Sequence, residues 1–72
     1  MLRGNLQSRR VLLALQRMGW AVVRSAGSHT VLQKAGMPPL VLPLGHPTVR
    51  ATTALAAIRR AGEDVARFEQ EY

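Results

Sequence analysis

Apolar residues recur at Leu6, Val11, Leu12, Leu15 and Met18, close to the i, i+3, i+4, i+7 spacing that gives a helix one buried face. Asn5 or Ser8 can cap such a helix, and Gly19 ends it as a glycine just past the last turn does. Trp20-Ala21-Val22-Val23-Arg24-Ser25 is short and β-branched, and Ala26-Gly27 breaks it before a second alternating run, Ser28 to Lys34. These runs predict two antiparallel strands. Ala35 to Pro39 reads as a turn and Leu40 to Leu44 as a third strand. Its Pro43 has no N–H to give a ladder, which places the strand at an edge or its residue at a strand end.

After Gly45-His46-Pro47 closes the sheet, Thr52 or Thr53 can cap a second helix over Ala54 to Ala61. Leu55 and Ile58 face inward in it, and Gly62 stops it. Asp64, Val65 and Phe68 then fit a short C-terminal helix. The order is α-β-β-β-α with a helical tail: an α+β fold in which two helices cover one face of a three-stranded antiparallel sheet. The other sheet face is left for solvent or for a partner.

Length and composition narrow this picture. At 72 residues there is room for a single domain, spanning 1–72, and a chain of this size buries only about 60% of the surface its unfolded form exposes. Hydrophobic residues at 47% are sufficient for a packed globule. The absence of cysteine removes disulfides, thiolate nucleophiles and sulfur-based zinc sites, and leaves two histidines, His29 and His46, as soft ligands. No structural metal and no cofactor are expected. The apolar run Val11 to Leu15 falls short of a signal-peptide core of roughly 7–15 residues and of a membrane span of about 20. A cytoplasmic domain with no membrane partner is expected.

Charge changes the picture most. Ten Lys and Arg against four Asp and Glu give a net charge of +6. All four acids, Glu63, Asp64, Glu69 and Glu71, lie after Gly62, so Met1 to Gly62 carries nine cations and no carboxylate side chain. A folded surface with that field attracts polyanions, of which nucleic acid is the commonest in a cell. Metal-dependent nucleases gather carboxylates around their ions, and this distribution of acids disfavours one. The chemistry left for a nuclease is metal-free transesterification, in which an imidazole takes the proton of a ribose 2′-OH and the alkoxide attacks the adjacent phosphate. An imidazole with an unperturbed pKa near 6.5 is largely a free base at neutral pH, and neighbouring Arg or Lys can stabilise the phosphorane.

His29 follows Gly27-Ser28 at the start of a predicted strand, where a glycine turn leaves the imidazole open to a ligand. From the residues alone it also reads as a histidine packing or hydrogen bonding on a half-buried strand, and His46 as an exposed loop residue. Lys34 is a solvent charge or a phosphate contact. Trp20, just after the helix stop, reads as a core plug. With one Trp, one Phe and one Tyr, the chain lacks the interleaved aromatics of a base-stacking single-strand binder.

Leu15-Gln16-Arg17-Met18-Gly19-Trp20, then Val22-Val23-Arg24, then Gly27-Ser28-His29, with Leu42-Pro43, a following histidine, and Thr53-Ala54-Leu55 through Ile58 to Gly62, resemble the HicA toxin family over about residues 8 to 68. The resemblance implies a double-stranded-RNA-binding-domain-like fold. It also implies ribosome-independent cleavage of mRNA by a type II toxin, a HicB-type antitoxin as protein partner, and His29 as the catalytic general base. Gly27 and Ser28 then shape the active-site turn, and Arg24 and Lys34 are candidate RNA contacts. The family's second histidine directly follows a Val-Pro-x step. Here Leu44-Gly45-His46 sets it one residue later, and no role is carried onto His46. The proton donor to the leaving 5′-oxygen is unassigned. The alternative reading is a non-catalytic basic RNA-binding module that regulates translation, which shares the fold and the charge and needs no histidine.

Overall fold

The computed structural model describes residues 1–72 as an α+β fold with three helices and a three-stranded antiparallel sheet. In chain order the elements are β1 (Asn5–Gln7), α1 (Ser8–Arg17), β2 (Ala21–Ala26), β3 (His29–Gln33), β4 (Leu40–Leu42), β5 (Thr48–Arg50), α2 (Ala51–Arg60) and α3 (Val65–Glu71). The main sheet runs β2-β3-β4, so β4 is an edge strand that ends just before Pro43, as the missing proline N–H requires.

Successive strand residues point to opposite faces. Thr30, Leu32, Leu40 and Leu42 therefore turn inward and are buried. They share one core with Val11, Ala14 and Leu15 of α1, Leu55 and Ile58 of α2, and Phe68 of α3. Trp20 joins this core at 2% exposure, the plug its position after the helix stop predicts. The opposite sheet face carries Arg24, His29, Val31 and Val41, with Val41 still 48% exposed. No helix covers it.

A two-stranded ribbon was not expected. β1 pairs antiparallel with β5, setting Leu6 opposite Val49, and both side chains are buried. Leu6 thus belongs to a strand and not to the helical stripe. Because β1 runs straight into α1 and β5 straight into α2, the ribbon ties the starts of both helices together. It also displaces the expected caps. Gln7 holds the N-cap position of α1 without a side-chain bond, so neither Asn5 nor Ser8 caps that helix. α2 begins at Ala51, three residues before the expected Ala54, with Arg50 at its N-cap position, and Thr52 and Thr53 fall inside its first turn.

The C-terminal stops form as expected. Gly19 and Gly62 follow their helices with φ of 99° and 84°, a left-handed conformation that favours glycine. Asp64 caps α3, its Oδ1 accepting from the Arg67 N–H at 3.1 Å. No helix is long and apolar enough to cross a membrane.

Candidate functional site at the β2–β3 turn

β2 and β3 are joined by a two-residue loop, Gly27-Ser28, closed by the Ala26–His29 pair. Gly27 has a φ of 57°, and no residue other than glycine has positive φ anywhere in the chain. Positive φ at the first loop position alone is the requirement of a type II′ hairpin turn, which matches the right-handed twist of the strands. The Gly-Ser sequence therefore sets the register that makes His29 the first residue of β3.

That register fixes where the imidazole stands. Thr30 is buried at 7% exposure, so His29 lies on the opposite, uncovered face, and it is exposed. The exposed imidazole argues against the reading of His29 as a histidine packing or hydrogen bonding on a half-buried strand. Arg24 pairs with Val31, and Ala26 pairs with His29, which makes Arg24 the diagonal neighbour of His29 on the same face. Diagonal positions in an antiparallel pair are within reach of long side chains. The structure therefore brings together His29, its Gly27-Ser28 turn and Arg24.

Lys34 stands elsewhere. It follows the last residue of β3, roughly 16 Å from His29 at the rise of an extended strand, and belongs to the other sheet face. Its Nζ donates to Glu63 Oε1 at 2.7 Å, and the Trp20 indole N–H donates to the same oxygen at 2.9 Å. Burial pushes the Glu63 carboxyl up. The bonds from Lys34, the Asp64 N–H and Trp20, together with the Lys34 charge, outweigh it and hold the group below the usual carboxylate range. Lys34 thus has a carboxylate partner that Arg24 lacks.

Gly45 is a residue whose importance the sequence did not announce. Its N–H donates to the Ser28 carbonyl at 3.0 Å. A Cβ at this position would lie 2.7 Å from Ser28 Cα and 2.8 Å from the Gly27 carbonyl oxygen, contacts a side chain cannot make. Glycine is therefore required here for close approach of two backbones, not for an unusual φ. The contact locks the loop after β4 onto the hairpin turn, and it brings the His46 segment beside the residues that carry His29. His46 itself lines a groove on the helix side of the hairpin, together with Ser8, Arg9, Ser25 and Thr48. The two histidines thus flank one backbone junction. No group of three or more His, Cys, Asp or Glu side chains gathers anywhere in the structure.

Comparison with protein-family models, with characterised proteins and with solved structures returns no match.

Proposed function

We propose that this chain is a metal-independent endoribonuclease of the HicA type, acting on mRNA as the toxin of a toxin–antitoxin pair, with His29 as the general base. The observation that carries the reading is an exposed histidine at the head of a strand, set by a Gly-Ser turn on an uncovered sheet face with Arg24 beside it. The helix and strand order around the main sheet, α1-β2-β3-β4-α2, agrees with the double-stranded-RNA-binding-domain-like arrangement that the sequence resemblance implies.

The chemistry follows from the placement. RNA lying across the open face presents a ribose 2′-OH to the His29 imidazole, which takes its proton. The 2′-oxygen forms a bond to the adjacent phosphorus while the bond to the 5′-oxygen breaks, giving a 2′,3′-cyclic phosphate and a free 5′-hydroxyl once that oxygen gains a proton. Arg24 is the cation placed to stabilise charge on the phosphorane. Lys34, paired with Glu63 on the other sheet face, makes no contact with RNA lying on this one. A cytoplasmic antitoxin of the HicB type would cover the same face, and the net positive charge of the chain favours an acidic protein partner.

The test is incubation of the purified wild type and of His29→Ala with single-stranded RNA in EDTA, with mapping of the product ends. Cleavage by the wild type alone, leaving 2′,3′-cyclic or 3′-phosphate ends, is the expected result. Binding by both proteins with cleavage by neither would replace this reading with that of a non-catalytic RNA-binding module.

A further inference from the structure

The two edges of the main sheet differ. β4 is three residues long, follows Pro38-Pro39 and stops at Pro43, so it offers little backbone along its outer side. β2 is six residues long and holds no proline, lysine or carboxylate. All six residues are exposed, Val22 by 40% and Val23 by 52%. The strand has no neighbour on its outer side, and no backbone hydrogen bond from a turn, loop or cap reaches Ala21 to Ala26.

Pairs in an antiparallel ladder alternate between bonded and unbonded. A two-residue hairpin loop is closed by a bonded pair, here Ala26–His29. In the next pair, Ser25–Thr30, the Ser25 N–H and carbonyl therefore point away from β3. Another extended chain offers the alternating donors and acceptors that match such a row. The chemistry of this edge calls for a polypeptide strand.

Its surroundings select the charge. On the helix side β2 borders a groove of about 910 Å³, lined by the apolar Leu12, Val22 and Leu44 and by Arg9 and His46, with no carboxylate. Arg24 and His29 stand on the opposite face. Side chains of an added strand alternate between the two faces, so apolar ones enter the groove and acidic ones meet Arg24, with Arg9 drawing the same sign of charge at the groove. A second copy of this chain answers this poorly, since its β2 carries an arginine and no acid and the copy brings a further net charge of +6. The ladder irregularity between Val22 and Arg24 is the one feature that blunts β2, and it favours a strand shaped to it over indiscriminate pairing.

We propose that the outer edge of β2 is the docking site for an extended, acidic segment of a partner protein, added to the main sheet as a fourth strand with its apolar side chains in the groove. The proposal does not rest on the ribonuclease reading, because the free edge and the cations around it are independent of what His29 does.

The test is a titration of the ¹⁵N-labelled protein with a short acetylated peptide of alternating glutamate and valine. The amides of Val22 to Ala26 are expected to shift. At a peptide concentration about ten times the Kd, the Ser25 amide should exchange with solvent about ten-fold more slowly. The same peptide N-methylated throughout keeps its charge and side chains but donates no backbone hydrogen bond, and it should not bind. A lysine–valine peptide should not bind either. Ser25→Pro should abolish binding at little cost to the fold, because the N–H it removes is not one that pairs with β3. Arg9→Gln should fold as the wild type does and weaken binding about two- to five-fold, the usual worth of an exposed ion pair.

Equal binding of the N-methylated peptide would overturn strand addition, and equal binding of the lysine peptide would overturn the acidic partner. No response of the β2 amides at millimolar peptide would overturn the docking site. A dimer in sedimentation equilibrium that Ser25→Pro dissociates would replace the partner by a second copy. None of these readouts involves cleavage, so an inactive wild type in the RNA assay would fell the catalytic proposal alone.

Discussion

The surroundings of α3 and those of the β2–β3 turn treat polar groups in opposite ways. Around α3 they are paired. Glu63 accepts from Lys34 and Trp20, Asp64 caps the helix, and Glu69 Oε2 accepts from the Leu2 N–H at 2.7 Å. Arg10 donates to the Tyr72 carbonyl and lies 4.1 Å over the Tyr72 ring, while the Tyr72 hydroxyl accepts from the Gln7 N–H. Around the turn, Arg24, His29, Arg9 and His46 have no acid near them in sequence, and Ser8 Oγ has no partner at all.

The cause is visible in the chain. Because every acid follows Gly62, ion pairing and capping concentrate where the last residues fold back, and the hairpin side keeps its positive charge uncompensated. Local departures from satisfied chemistry are where function is expected, since a fold keeps them at a cost to stability. One region holds the fold together and the other is available to a ligand.

Substitution at His29 probes that division most sharply. His29→Ala should reduce RNA cleavage by about 10²–10⁴-fold, the usual loss for a general acid–base group. Thermal denaturation should be unchanged, because an exposed side chain at the end of a strand contributes little packing. A variant that loses activity only in proportion to a fall in Tm would show that the turn is structural.

Phe68→Ala is the converse experiment. The ring is fully buried at the junction of α3 with the core. Its removal should cost about 3–5 kcal/mol, which a domain of this size barely tolerates. Urea denaturation should place its midpoint far below that of the wild type, and any protein still folded should cleave RNA at the wild-type rate.

Gly45→Ala should breach the division. A methyl group 2.7 Å from Ser28 Cα forces the two backbones apart. Overpacking of this kind costs about 1–3 kcal/mol, and here the displaced segment is the turn that aims His29. Stability and cleavage should fall together, read by denaturation and by the rate on one RNA. Full activity in this variant would show that the catalytic geometry does not depend on the Gly45 contact.

The sequence carried the main sheet and the helices because each is local. Val11, Leu12, Leu15 and Met18 mark one helical stripe, Gly19 and Gly62 mark the stops, and Gly27-Ser28 between β-branched runs marks a hairpin. The β1–β5 ribbon was not legible, since each strand offers one buried residue, Leu6 or Val49, and three residues establish no period. Without the ribbon, the starts of α1 and α2 were assigned to serine and threonine caps that do not form. At the site, the turn and the common face of His29 and Arg24 follow from hairpin register. The Gly45 contact and the Lys34–Glu63 pair do not, because each joins residues brought together only by the fold, 29 positions apart in the case of the pair.

The smallest effect expected concerns that pair, and its sign follows from the direction in which Glu63 is shifted. The carboxyl is held below its ordinary value of 4.5 by the groups that donate to it, against the opposing influence of burial. Its contribution to stability is therefore complete above the unfolded-chain value and is lost as the pH falls through the lower value of the folded protein. Trp20 reports the event directly, because its indole N–H bonds the same carboxylate oxygen that Lys34 does. Tryptophan fluorescence followed by acid titration should show a transition below pH 4.5 in the wild type that is absent in Glu63→Gln. The variant should lose little stability at neutral pH, where an amide oxygen can still accept from Trp20 or Lys34. Cleavage by Glu63→Gln should match the wild type if α3 and its pairs serve only the fold. A changed rate would mean that freeing Lys34 from its carboxylate adds a cation to the RNA-binding surface, and that the division between the two regions is itself set by where the acids lie.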